Sequence, residues 1–141
     1  MADIVRLTSA DEKACADINA LLLQLNKESS CTLEHLKNLA GNPNTELLVA
    51  REGGSIVGMA TLVFVVKPAG IVADLEDVVV DESMRGKGVG RALCEKAIES
   101  ARSRGVRAIR LTSRPERVAA NKLYQKLGFE QKETNVYRLK L

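Results

Sequence analysis

A glycine-rich, basic segment is the part of this sequence whose residue types most directly indicate chemistry. It spans residues 80–91 and reads VDESMRGKGVGR, between an apolar run and a helical pattern. Its second half combines glycines, which let a ligand approach the backbone closely, with positive side chains. These residues are Arg85, Gly86, Lys87, Gly88, Val89, Gly90 and Arg91. A helix that begins here leaves its first N–H groups without partners and favours anions through its dipole, so the segment predicts a cradle for two linked phosphates.

The segment differs from two widespread phosphate-binding loops. It is not a Walker loop, because no Gly-Lys-Ser/Thr sequence closes it, and its last glycine spacing differs from the Rossmann fingerprint. A tight strand-to-helix connection would also use glycine, and the glycines alone do not exclude that alternative. The basic residues favour anion binding.

Carboxylates are also unusually frequent on the apolar strand that precedes this segment, at Asp74, Glu76 and Asp77. Such side chains on an interior strand are costly unless they are paired or line a cleft. Regular alternation places Asp74 and Glu76 on the same face as Val78. Asp77 then faces the other way, unless a β-bulge changes the parity. An ion pair with Arg110 or Arg107 on the neighbouring strand accounts for these carboxylates equally well.

The apolar periodicity predicts a mixed α/β fold. Four helices are predicted: one capped by Ser9 or Asp11 and ending near residue 25, a short one capped by Thr32, and two over residues 89–104 and 116–127. Strands are predicted over residues 4–8, 46–51, 55–66, 71–80, 106–112 and 134–141. This order predicts a single domain spanning residues 1–141, in which helices pack on a mixed sheet.

Composition excludes several functional classes. A chain of 141 residues with 45% hydrophobic and 28% charged residues is typical of an ordinary globular protein. Three cysteines without a Cys-x-x-Cys pair, and one histidine, argue against a disulfide framework and a metal site. A net charge of +3 with no Trp does not favour nucleic acid. No apolar stretch approaches the length of a membrane span and nothing at the N-terminus suggests export, so we expect a cytoplasmic protein.

Two motifs together resemble the GNAT superfamily of acetyl-CoA-dependent N-acetyltransferases. Arg85-x-x-Gly88-x-Gly90, after a valine-rich strand, is similar to the coenzyme motif of that family. Residues 120–129 read ANKLYQKLGF, which resembles the family's helix that carries Leu-Tyr and ends in Leu-Gly-Phe. The resemblance covers residues 72–141 well, and the N-terminal half only in the order of its elements.

The resemblance implies the acyl-CoA N-acyltransferase fold, with a central mixed sheet of about six to seven strands, helices on both faces and a splayed parallel strand pair. It also implies acetyl-CoA as co-substrate and no metal. The coenzyme would lie along the backbone of Val78, Val79 and Val80, with its diphosphate on the N–H groups of residues 85–90. An N–H of Val79 or Val78 would stabilise the oxyanion.

By the same resemblance, transfer is direct and Tyr124 is the general acid for the leaving thiolate. Periodicity alone favours a different role for Tyr124, as a core residue with its hydroxyl at the surface. Direct transfer also needs a base, for which we predict Glu76 acting through water, ahead of Asp74. Many members carry an Asn where this chain has Arg117, which would bind a phosphate or an acidic acceptor, or lie in solvent. Asn121 is then the predicted pantetheine contact.

The sequence does not identify the acceptor amine. Residues 76–80, EDVVV, resemble the strand of glucosamine-6-phosphate N-acetyltransferases and favour a small-molecule primary amine, such as an aminosugar or a polyamine. Alternatives are a protein acetyltransferase, acting on lysine or an N-terminus, and a non-catalytic acyl-CoA-binding module. The acceptor site is expected at the two N-terminal helices and the hairpin around Gly53 and Gly54. The last strand could extend a sheet across a homodimer interface. Cys94 is predicted to be a buried structural thiol and His35 a surface residue.

Overall fold

Five strands form one mixed sheet in the order in which they follow one another along the chain. The structure, a computed structural model, describes residues 2–141. The strands are β1 (Asp3–Arg6), β2 (Thr45–Glu52), β3 (Ser55–Lys67), β4 (Gly70–Val80) and β5 (Ile109–Arg110). Neighbours are antiparallel from β1 to β4, whereas β4 and β5 are parallel. The predicted mixed sheet is confirmed.

Helices form where the apolar residues recur at helical spacing. They are α1 (Glu12–Leu25), α2 (Leu33–Ala40), α3 (Val89–Ser103) and α4 (Val118–Lys126), and a 3₁₀ turn covers Glu82–Met84. Of the two candidate caps for α1, Asp11 is the one used: its carboxylate accepts from the Ala14 N–H over 2.8 Å. Thr32 caps α2 through the His35 N–H over 3.1 Å. Each cap contributes about 1 kcal/mol to helix stability.

The helices cover both faces of the sheet, as predicted. Side chains of α1 and α2, among them Ile18 and Leu36, pack on one face against Leu47, Val49 and Met59. Side chains of α3 and α4, among them Leu93, Ala97 and Tyr124, pack on the other face against Leu48, Leu62 and Leu75. We call these the α1/α2 face and the α3/α4 face. No helix within residues 2–141 combines the length and the apolar character that a membrane crossing requires.

A β-bulge in β4 changes which way its last residues face. Thr61 of β3 pairs with Glu76, but Met59, two residues away, pairs with Val79, so β4 carries one extra residue here. Asp77 has φ 50°, a left-handed backbone that Asp tolerates better than most residues. Val78 consequently packs in the core of the α3/α4 face and Val79 in that of the α1/α2 face. The predicted parity, with Val78 on the face of Asp74 and Glu76, is wrong for this reason.

Three predicted elements differ from the structure. The strand predicted over residues 106–112 pairs only at Ile109 and Arg110, and the helix predicted over 116–127 begins at Val118, after Pro115. The strand predicted over residues 134–141 does not form, and the sheet has five strands rather than six or seven. Alternation of apolar and polar residues determines which face of a strand is buried, but a strand forms only beside a neighbour that shares its hydrogen bonds. β5 pairs over two residues and offers only a short edge to a further strand.

Candidate active site

The glycine-rich segment leaves β4 through a turn that is fixed to α1. The Asp81 carboxylate accepts hydrogen bonds from the hydroxyl and the backbone N–H of Ser83. Gln24 of α1 donates to the same carboxylate over 2.7 Å and accepts from the Glu82 N–H over 3.1 Å. These bonds hold the start of the segment in place relative to α1.

The backbone of the segment presents donors next to open space. Gly86 and Gly88 have φ of 76° and 83°, and a Cβ added at either residue would meet no atom within 4 Å. Within residues 2–141, the N–H groups of residues 86–91 have no hydrogen-bond acceptor. The next N–H, that of Ala92, donates to the Gly88 carbonyl over 3.0 Å. Consecutive unpaired donors at the start of α3 suit an anion.

The basic side chains of the segment differ in how far they are already engaged. Arg85 donates through Nε to the Val80 carbonyl over 3.2 Å. Arg91 forms an exposed ion pair with Glu95, with 2.6 Å between Nε and Oε1. Lys87 is exposed and has no ion-pair partner among the residues that the structure describes. The Lys87 ammonium is therefore the most available charge beside the unpaired N–H groups.

The parallel pair of strands separates soon after it forms. Only Ala73 and Asp74 of β4 pair with β5, so the rest of β4 up to Val80 has no strand neighbour on that side. The Arg117 guanidinium, at the start of α4, reaches this free edge and donates to the Val78 carbonyl over 3.1 Å. Two carbonyls of the edge, those of Val78 and Val80, thus already accept from arginines.

Tyr124 lies on the buried side of α4, against the same edge. Its side chain is 5% exposed and makes an edge-on contact with Phe129, with 5.9 Å between the ring centroids. Burial raises the pKa of the Tyr124 phenol, and the nearby Cys94 thiol adds to this rise. The Arg117 guanidinium opposes it through its charge and a side-chain hydrogen bond. Tyr124, Arg117 and Val78 are therefore brought together at the splayed end of β4.

Asn121, on the same helix, makes a hydrogen bond within the chain. Its amide Nδ2 donates to the carbonyl of Arg114 over 3.0 Å. This bond ties α4 to the loop that precedes it. The donor of the Asn121 amide is thus engaged within the chain, while its position on α4 stays one turn from Tyr124.

The carboxylates of β4 are in three different situations. Asp74 forms an ion pair with Arg110 of β5, with 2.9 Å between the nearest atoms, which is one of the two ion pairs that the sequence left open. Glu76 has no ion-pair partner among the described residues, and burial, followed by the charges of Asp77 and Asp74, raises the pKa of its carboxyl. Asp77 occupies the bulge. Glu76 and Asp77 are therefore the carboxylates left available for a ligand.

A cleft of about 370 Å³ lies on the α1/α2 face, and no sequence motif pointed to it. Its walls come from α1, α2, the loop between them and strands β2 to β4. Asp77 lines it, and so does Thr61, the cross-strand neighbour of Glu76. The helices predicted to form an acceptor site thus do border a cleft, but Gly53 and Gly54 of the hairpin do not line it.

Two further residues occupy the environments that their neighbours predict. Cys94 is 0% exposed inside α3, and burial, with the charge of Glu95, raises the pKa of its thiol to about 11. A thiol in that state is a poor nucleophile. His35 is exposed on α2, as expected, and its side chain borders the cleft.

Comparison with known families agrees with this arrangement. Residues 13–129 match the model of a family described as acetyltransferase (GNAT) family. An N-alpha-acetyltransferase RimI from Mycobacterium tuberculosis is 30% identical over 125 residues, covering 89% of this chain and 76% of that protein. A glucosamine 6-phosphate N-acetyltransferase from Trypanosoma brucei brucei is 37% identical over 92 residues, covering 63% and 60%.

Solved structures give the same result over the whole chain. The crystal structure of an acetyltransferase from Trypanosoma brucei superposes with a TM-score of 0.82 at 30% identity, covering 100% of both chains. Across several curated relatives, the chain spans from 22% to 86% of the relative's own length.

Proposed function

The chain belongs to the GNAT family of acetyl-CoA-dependent N-acetyltransferases, and we propose that it transfers the acetyl group directly to the primary amine of a small molecule. The observation that carries this proposal is the run of unpaired N–H groups at residues 86–91 beside two left-handed glycines. These donors and the Lys87 ammonium would bind the coenzyme diphosphate, with Arg85 and Arg91 adding positive charge.

The free edge of β4 would hold the rest of the coenzyme. Pantetheine is rich in amides and can pair with an unpartnered strand as a peptide does. Val78, Val79 and Val80 form that edge, and an N–H of Val79 or Val78 would stabilise the oxyanion. Because Arg117 already binds the Val78 carbonyl, this guanidinium would either stay as part of the edge or turn towards the coenzyme. In the same proposal, Asn121 contributes from α4.

Tyr124 is the proposed general acid. As the amine nitrogen attacks the thioester carbon, the C–S bond breaks and the sulfur takes the phenolic proton. A phenol of pKa about 10 and a thiol of pKa about 8.5 make this transfer uphill by about 2 kcal/mol. Burial raises the pKa of Tyr124 and so increases that cost, and the Arg117 charge offsets part of this rise.

Glu76 is the proposed base, acting through a water molecule. The attacking amine must be neutral, so a carboxylate near the cleft has to accept its proton. Asp74 already forms an ion pair with Arg110, which favours Glu76 as the base. A pKa raised above the usual value of a carboxyl brings Glu76 closer to the pH at which a base works best.

The N-terminal amine of a protein is the second candidate acceptor. The match to RimI, which is an N-alpha-acetyltransferase, extends over 89% of this chain and favours it. A peptide acceptor would need an open groove, and a cleft of about 370 Å³ would hold only its first residues. A non-catalytic acyl-CoA-binding module has less support, because it would need neither a phenol at Tyr124 nor a carboxylate at Glu76.

A homodimer is a further part of the proposal. The C-terminal tail, residues 134–141, exposes large apolar side chains at alternate or adjacent positions, namely Val136, Tyr137, Leu139 and Leu141. The tail has no backbone hydrogen bond to the rest of residues 2–141. A second copy of the chain could supply the strand neighbour and the apolar cover that one copy lacks.

The decisive experiment measures coenzyme binding and turnover separately. Acetyl-CoA at one hundred times its Kd should stabilise the fold by about 2.7 kcal/mol, which corresponds to a Tm rise of about 5–10 °C. Release of free thiol, measured across a panel of amines and N-terminal peptides, then tests catalysis. Absence of a thermal shift would refute coenzyme binding, whereas a shift without thiol release from any amine would leave only the binding module.

A further inference from the structure

The cleft on the α1/α2 face carries information about the acceptor that the family does not. Its volume of about 370 Å³ is at the small end of ligand sites, which range over about 300–1,000 Å³. One side of it is apolar, formed by Ile18, Leu22, Leu36, Leu39, Leu47 and Met59, and polar groups line the rest, among them Ser29, Ser30, His35 and Thr61. The apolar side suits a compact carbon body, which gains by leaving water there.

The charges that border the cleft are negative. Glu28, in the loop between α1 and α2, and Asp77, in the β4 bulge, both line it. Neither carboxylate has an ion-pair partner among residues 2–141, and no Lys or Arg of that part of the chain lines the cleft. Two uncompensated carboxylates attract an ammonium group and repel a phosphate or a carboxylate.

The wall that carries Glu28 is held in place. Asn19 of α1 accepts from the Cys31 N–H over 2.7 Å and donates to the Cys31 carbonyl over 2.9 Å. The Asn26 side chain accepts from the Glu28 N–H over 3.0 Å. The loop therefore keeps its shape without a ligand, and binding costs little ordering of this wall.

From this geometry we infer that the acceptor is a small amine with an apolar carbon body and only positive charge, such as an alkyl amine, an arylalkyl amine or a diamine. The inference rests on the proposed acetyl transfer. Asp77 would receive the ammonium that reacts, because it adjoins Glu76 on the strand that meets the coenzyme. Glu28 would face the other end of the acceptor, where its charge would attract a second amino group. Phosphorylated aminosugars are disfavoured, because the same two carboxylates repel the phosphate.

Steady-state kinetics test this inference. We expect kcat/KM for 1,4-diaminobutane and phenylethylamine to exceed that for glucosamine 6-phosphate by at least about a hundredfold. Glu28→Gln and Asp77→Asn should each lower kcat/KM for the diamine by about fivefold, the upper range for a partly exposed ion pair, with the KM for acetyl-CoA unchanged. Glu99→Gln, on α3 and away from the cleft, is the matched control and should have no effect.

The outcomes separate the inference from the proposal beneath it. If glucosamine 6-phosphate or an N-terminal peptide is the better acceptor, acetyl transfer stands and the inferred acceptor class is wrong. An equal loss for all acceptors in the Glu28→Gln and Asp77→Asn variants would also overturn it, because charge recognition would then not be selective. If no amine raises the rate of thiol release above that without amine, the proposed acetyl transfer and the inferred acceptor class are both wrong.

Discussion

Replacement of Tyr124 by Phe tests the proposed chemistry with little disturbance of the fold. The phenyl ring keeps its edge-on contact with Phe129 and its place in the core, since the side chain is only 5% exposed. The variant loses the phenolic hydroxyl and its interaction with the Arg117 guanidinium, at a cost of about 1 kcal/mol in the free energy of unfolding. For a chain of this size we expect a Tm about 2–4 °C lower.

The catalytic effect should be much larger than the structural one. A general acid contributes about 10²–10⁴-fold, and we expect Tyr124→Phe to lower kcat by at least about a hundredfold. The KM for acetyl-CoA should change by less than about threefold, because the unpaired N–H groups of residues 86–91 are untouched. The assay is thiol release under varied coenzyme concentration. Tyr137→Phe is the matched control, since that residue is 87% exposed in the tail.

A second acetyl donor makes the test specific for proton transfer. An acetyl thioester whose thiol is more acidic than that of the coenzyme needs less help from an acid. The defect of Tyr124→Phe should therefore shrink with that donor. If kcat and coenzyme affinity instead fall together, or the defect is the same with both donors, Tyr124 is a packing residue and the reasoning fails.

The other predictions concern the coenzyme segment, the base and the tail. Lys87→Gln should weaken acetyl-CoA binding by about fivefold in a salt-dependent manner. Lys96→Gln, on α3 and paired with Glu99, should not, and equal effects would contradict the phosphate site. Because the pKa of Glu76 is raised, kcat/KM should fall as the pH drops through that pKa, above the usual 4.5. Asp77→Asn removes a charge that raises it and should move this acidic limb to lower pH, and an unmoved limb would exclude Glu76 as the base. Removal of residues 134–141 should convert a dimer into a monomer in light scattering, whereas a full-length chain that is already monomeric would refute the dimer.

The sequence predicted best what depends on neighbours along the chain. The glycines and the helix start of the coenzyme segment are local, so their spacing predicted both the turn and the unpaired N–H groups. The caps at Asp11 and Thr32 were predictable for the same reason. The strand at residues 134–141 was not, because its formation depends on a partner edge rather than on its own alternation. The two N-terminal helices were predicted to form an acceptor site and do border the cleft, but its strand residues were not predicted, because its walls come from five separate elements and a loop.

In the proposed mechanism, the β4 bulge lets one strand contact both ligands, which must meet for the acetyl group to be transferred. Leu75 and Val78 both lie in the core of the α3/α4 face, three residues apart, which regular alternation forbids. The extra residue is Asp77, and it turns a carboxylate into the cleft on the opposite face. The Val78 carbonyl meanwhile remains at the splayed edge, within reach of Arg117 and near Tyr124. An amine that enters from the α1/α2 face would therefore approach Val78 and its neighbours, and acetyl-CoA bound along the β4 edge would contact the same residues. An unbroken strand would alternate Glu76, Asp77 and Val78 across the sheet and separate the carboxylates from each other.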